Sequence, residues 1–164
     1  MGTWNISSED FFIFLERAFD GMLAILEELG DERANQKPSV PGANSPYATL
    51  FHCVGVTNYW IGTLLGGRDV PRDRPAEFHA TGTVREISSQ VAALKLQLTT
   101  DLQGFDGTCR LSIRPESSYS PIAGKTRWTE GWVLMHTYEE LAQHHGQMEL
   151  ARDLLVSGEQ KSDE

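Results

Sequence analysis

His136, Glu140 and His144 recur at four-residue steps inside an unbroken helical pattern, WTEGWVLMHTYEELAQHHGQMELARDLL, from Trp128 to Leu155. Four residues carry a helix one turn plus roughly 40°, so the three side chains share one side of it. Two imidazoles and a carboxylate converging in this way can hold a divalent metal ion. A Glu140 lying beside a core-facing histidine has to shed its hydration, at a cost on the order of several kcal/mol unless a cation or partner compensates. The same spacing also suits an exposed Glu140 paired with a neighbouring histidine, worth only about 0.2–0.5 kcal/mol. Spacing alone keeps both open.

A further imidazole, His52, sits in a different helical stretch, with Tyr59 and Trp60 one to two turns on. One ligand from one helix and two from another would close a site while leaving a position for water or a substrate atom. A lone histidine between Phe51 and Cys53 also fits a satisfied core residue. Tyr59 reads either as a proton-moving group or as packing.

Helix periodicity supplies the rods that must position these groups. Phe11, Leu15, Ala18, Met22, Ile25 and Leu29 step by fours and threes after Ser7, Ser8, Glu9 and Asp10, predicting a helix over about 7–29 that ends near Gly30. Asp31 to Pro46, with Pro38, Pro41 and Gly42, reads as a connection. A second helix over about 46–65 carries two stripes with little purely polar surface, Tyr47, Leu50, Val54, Asn58, Ile61 and Leu65 on one side and Ala48, His52, Gly55, Val56, Tyr59 and Thr63 nearly opposite. It is either the innermost helix or meets a second subunit on one side.

A polar crossover is expected from Arg68 to Thr81. Val84, Ile87, Val91, Leu94, Leu98 and Leu102 predict a third helix over about 83–103. A fourth, over about 127–156, has Thr137, Leu141, His144, Met148, Ala151 and Leu155 on its inward stripe. Apart from a possible extended piece at Arg110 to Ile113, no strand is predicted. The expected fold is all-α: a four-helix bundle with long crossover connections, one domain spanning 1–164.

Composition narrows the partners. A net charge of −9 argues against a nucleic-acid surface, which needs clustered Lys and Arg. The opening MGTWNISSED lacks the basic then apolar order of an export signal, and no run of about 18 apolar residues occurs, so a cytoplasmic chain without a membrane span is expected. Cys53 and Cys109 make neither a disulfide framework nor a zinc ribbon. The stretch from Phe105 to Arg127 is locally basic, so Arg110, Arg114 and Arg127 could bind a substrate carboxylate or simply be solvated. Trp128 and Trp132 either line a pocket, Trp132 then touching substrate, or plug the bundle end.

The segments LFHCVGVTNYW and RWTEGWVLMHTYEELAQHHGQMELARDLL together resemble the DinB-like superfamily of four-helix proteins. Within it they are most similar to the branch of mycothiol-dependent S-transferases and maleylpyruvate isomerase. The resemblance implies one divalent metal ion, zinc or nickel, on His52, Glu140 and His144, in a bundle that forms a homodimer. Members of the wider superfamily carry His where this chain has Glu140, and Glu is what the mycothiol-linked branch carries. His136 lies outside that trio and is expected to support the site or move a proton.

The implied activity joins a small-molecule thiol, of mycothiol or bacillithiol type, to an electrophile by S-transfer, or uses the thiol in isomerisation. Two rival readings stay open. One is a metal-dependent hydrolase of small amides or esters, although neither HExxH nor GxSxG occurs. The other is a non-catalytic stress-response bundle that binds a small ligand around a structural metal.

Overall fold

A computed structural model of the chain describes residues 6–113, 115–116 and 127–159. Its element order is α1 (Ser8–Ala34), α2 (Pro46–Thr57), a π-helical segment (Asn58–Thr63), α3 (Arg74–Glu77), α4 (Val84–Asp101) and α5 (Glu130–Glu159). The fold is all-α, without a strand among the described residues. None of the described helices is long and apolar enough to cross a membrane.

Each helix starts where the sequence offers a cap. Ser7 accepts from the Asp10 N–H, Ser45 from that of Ala48 ahead of a helix opening on Pro46, and Thr83 forms a reciprocal capping box with Glu86. The four long helices pack through one core. It is built from Leu15, Phe19, Met22 and Leu26 of α1, Leu50 and Cys53 of α2, Ile87, Val91 and Leu98 of α4, and Leu141 and Met148 of α5. Both stripes of α2 are covered within a single chain: Leu50 and His52, on different sides, are each 2% exposed or less. It is therefore the innermost helix of the chain.

Four local departures from the sequence expectation have identifiable causes. Gly30 does break α1, with φ 69°, but another turn forms beyond it through Ala34. Asn35 holds that turn, donating to the carbonyls of Asp31 and Gly82 while Gly82 N–H donates back to it. Past Thr57 the second helix widens, so that Leu64 N–H donates to the Tyr59 carbonyl five residues back. Arg68 fits against this segment, donating to Asn58 Oδ1 and to both oxygens of Asp101, where Gly62 leaves no Cβ in its way.

The crossover is not merely turn, because Asp73 caps the four-residue helix α3, with Pro75 in its first turn. Finally, α5 starts at Glu130 rather than 127. Arg110 and Thr129 form an antiparallel bridge, and Thr129 Oγ1 accepts from the Trp132 N–H at 3.2 Å as the cap.

Candidate metal centre

Helix α2 packs against α5 and against α3. That arrangement places His52 between the carboxylates of Glu77 and Glu140 and brings it to His144. His52 is 2% exposed, and its ring lies 4.9 Å from the His144 ring, centroid to centroid. Its Nε2 is 3.9 Å from Glu140 Oε2, and the His144 Nε2 is 3.6 Å from the same oxygen.

Those separations are too long for hydrogen bonds. They approach the roughly 3.3–3.6 Å between ligands that hold one ion tetrahedrally at about 2.0–2.2 Å. One ligand atom from each of His52, Glu140 and His144 lies within 4.8 Å of the others. Each imidazole also has its other nitrogen engaged, His52 Nδ1 with Glu77 Oε2 at 2.6 Å and His144 Nδ1 with Gln147 Oε1 at 2.8 Å. Both rings are thereby set with Nε2 toward Glu140, and the three donors suit a divalent ion of the zinc type.

The electrostatics agree with this placement. Contacts with the His144 and His52 imidazoles hold the Glu140 carboxyl well below the usual carboxylate range, against the desolvation of a side chain only 30% exposed. Burial opposes protonation of His52, yet Glu140 and Glu77 together outweigh it and raise its pKa above 6.5. Glu77 is 4% exposed. Desolvation pushes its carboxyl up, but the hydrogen bonds from His52 and Arg72 prevail and leave it below 4.5.

Arg72 grips Glu77 with two hydrogen bonds, of 2.7 and 3.1 Å. Sequence reading missed both residues. Their one local signal was the Asp73 and Pro75 helix start within the crossover.

His136 lies one turn back from Glu140, its Nε2 3.7 Å from Glu140 Oε1 and its Nδ1 3.2 Å from Glu139 Oε2. It is 5% exposed, enclosed by the stacked ring of Trp132 and the edge-on ring of Trp60, each 4.8 Å away. Trp128 closes the same cluster against Trp132 at 4.3 Å. Tyr59 is joined to the site indirectly. Its ring lies under the Arg72 guanidinium at 5.6 Å, and its hydroxyl accepts from the Glu116 N–H at 2.8 Å.

Arg110 and Arg127 are exposed near the start of α5, and no ion pair or hydrogen bond ties them to the trio among the described residues. Arg114 lies outside the described residues. His145, adjacent to His144, points away and fills the space beside Gly21.

An all-α bundle of this helix order is DinB-like. The profile of the mycothiol-S-transferase family matches residues 10–156, and the chain belongs to that family. Among solved structures, the crystal structure of a conserved protein from Enterococcus faecalis superimposes with a TM-score of 0.68 over 94% of this chain and 99% of the other. At 16% identity that likeness speaks for the fold alone. A search of curated proteins gives no significant match.

Proposed function

We propose that this chain transfers a low-molecular-weight thiol, of mycothiol or bacillithiol type, to an electrophilic carbon at a divalent ion held by His52, Glu140 and His144. The observation that carries the reading is the convergence of those three donors in a member of the mycothiol-S-transferase family. Zinc and nickel both accept such a donor set. A divalent ion there supplies Lewis acidity, favouring the thiolate over the thiol.

The protein has to supply proton traffic and a dry wall. His136 Nε2, next to the distal oxygen of Glu140, would take the proton of the incoming thiol; the thiolate sulfur then bonds to the electrophilic carbon as the leaving group departs with the electron pair of the carbon bond that breaks. Trp60 and Trp132 hold that imidazole in place and exclude water from one side. Tyr59 assists through Arg72 rather than by touching the trio.

The chain's own cysteines are poor nucleophiles. Burial pushes the Cys53 thiol well up, and Asp106 raises that of exposed Cys109. A small-molecule thiol as the sulfur source is in keeping with this and with the family. The resemblance also implies a homodimer.

Untagged protein tests the reading. It should contain about one zinc or nickel per chain and, supplied with mycothiol or bacillithiol, consume an alkylating electrophile, with both properties lost in His52→Ala and His144→Ala. Metal content below about a tenth of an equivalent, unchanged in these variants, would refute it. Hydrolysis of small esters without any response to thiols would favour the hydrolase instead.

A further inference from the structure

We propose that Glu77, clamped by Arg72, is a positioning residue that fixes the His52 imidazole with its proton on Nδ1 and its bare Nε2 turned toward Glu140 and His144. The proposal rests on the metal reading above only for what Nε2 faces.

An ionised carboxylate can only accept, so the 2.6 Å contact with Glu77 Oε2 places the hydrogen on Nδ1 of a neutral His52. Glu77 is held in turn by two hydrogen bonds from the nearly buried Arg72, an arrangement that stops the carboxylate from swinging away.

The sequence of α2 accommodates the acid specifically. A Cβ on Gly55 would stand 2.2 Å from Glu77 Oε1, so glycine within this helix opens the slot that the carboxylate occupies. The next residue, Phe78, packs on the same imidazole at 4.7 Å between ring centroids. Two consecutive residues of the crossover thus grip one ring, Glu77 at its edge and Phe78 over its face. Among the described residues His144 has no comparable support. It is oriented by Gln147 of its own helix, and its side chain is 21% exposed. Carboxylates behind a metal-binding histidine set its tautomer and raise its basicity.

Two variants separate this role from general support of the fold. Arg72→Met/Glu77→Leu removes both charges together, so neither is left buried alone; it also ends the contact of Arg72 with the Tyr59 ring and leaves His52 Nδ1 without its acceptor, and a modest drop in melting temperature is expected with it. Gly55→Ala keeps both charged groups but drives a methyl into the carboxylate slot. The methyl has to displace a buried carboxylate, which outweighs the gain in helix propensity, so a purely structural role predicts a lowered melting temperature with tautomer and zinc affinity unaltered.

The readouts are the ring nitrogen-15 shifts of His52 in metal-free protein, at a pH where the ring is neutral, and zinc affinity by competition with a chromophoric chelator. Wild type should show the Nδ1–H form. Both variants should shift toward Nε2–H and bind zinc about 10- to 100-fold more weakly. Variants that keep the wild-type tautomer and affinity, while His144→Ala still loses zinc, overturn the proposal and leave the metal reading standing. Should wild type bind no zinc, the metal reading fails and the tautomer decides alone: Nδ1–H lost in the variants sustains the role of Glu77, and Nδ1–H retained overturns it.

Discussion

Zinc added to the metal-free protein should raise its melting temperature, and binding linkage sets the size of the rise. The three donors meet only in the folded chain, because His52 is separated from Glu140 and His144 by more than half of the sequence. At free zinc one hundred times the dissociation constant, binding to the native state alone adds about 2.7 kcal/mol. For a chain of 164 residues each kcal/mol moves the midpoint by roughly 2–4 °C, giving a rise of about 5–11 °C.

Glu140→Gln preserves shape while removing the charge that His52 and His144 face, and His144→Ala removes a ring that is only partly buried. Both should abolish the rise. His145→Ala is the control. Its ring fills the space beside Gly21, where a Cβ would come within 2.3 Å of it, so losing the ring lowers the metal-free midpoint without changing the zinc-dependent increment. The assay is calorimetry on untagged, chelator-stripped protein titrated with zinc. A rise retained in Glu140→Gln and His144→Ala, or lost in His145→Ala, refutes the assignment of ligands.

In metal-free protein the raised pKa of His52 contributes stability that is complete below 6.5 and lost as pH climbs through the native value. The depressed pKa of Glu140 contributes stability present above 4.5 and lost only as pH falls through its native value. Urea melts should therefore weaken from mildly acid toward alkaline pH, and His52→Gln should flatten that trend. Leu141→Ala, at a fully buried position of α5, should cost about 2–5 kcal/mol in urea melts while the folded fraction still binds one zinc. Cys109→Ser should leave the rate of thiol transfer unchanged in a direct alkylation assay, because Asp106 keeps that thiol protonated; a clear loss of rate would bring the cysteine into the reaction.

The rods were legible because each buries one recurring face. Leu15, Met22 and Ile25 in α1, or Ile87, Val91, Leu94 and Leu98 in α4, are core residues at the positions periodicity assigns. The grouping was legible only in part: four-residue steps put His136, Glu140 and His144 on one side of the last helix, and it was the resemblance to the DinB-like superfamily that singled out His52 with Glu140 and His144.

What stayed hidden depends on contacts distant in sequence. Glu77 reaches His52 from 25 residues away, out of a stretch whose prolines and charges read as turn. The added turn of α1 needs Asn35 to meet Gly82, 47 residues on, and the widened end of α2 needs the Arg68 side chain to fold back over Gly62. No local pattern encodes such pairings, because the energy that selects them arises only once the helices are packed.

The two sides of the site differ in a way that bears on how it would be tuned. On the α2 side everything is dry and held several times over: His52 by Glu77 and Phe78, Glu77 by Arg72, the slot by Gly55. On the α5 side Glu140 and His144 keep 30% and 21% of their side-chain surface open, and both stand on one helix that also carries His136 and Trp132. Among the described residues the trio is therefore more open at Glu140 and His144 than at His52, and Trp132 and His136 stand on the same helix as the open pair. On the proposed chemistry, substitutions around Trp132 should then alter which electrophile reacts with little effect on zinc affinity, whereas substitutions around Glu77 should alter zinc affinity with little effect on that preference. The separation is physical: Trp132 packs on His136 at the start of the α5 face that carries Glu140, and Glu77 is sealed behind the His52 imidazole.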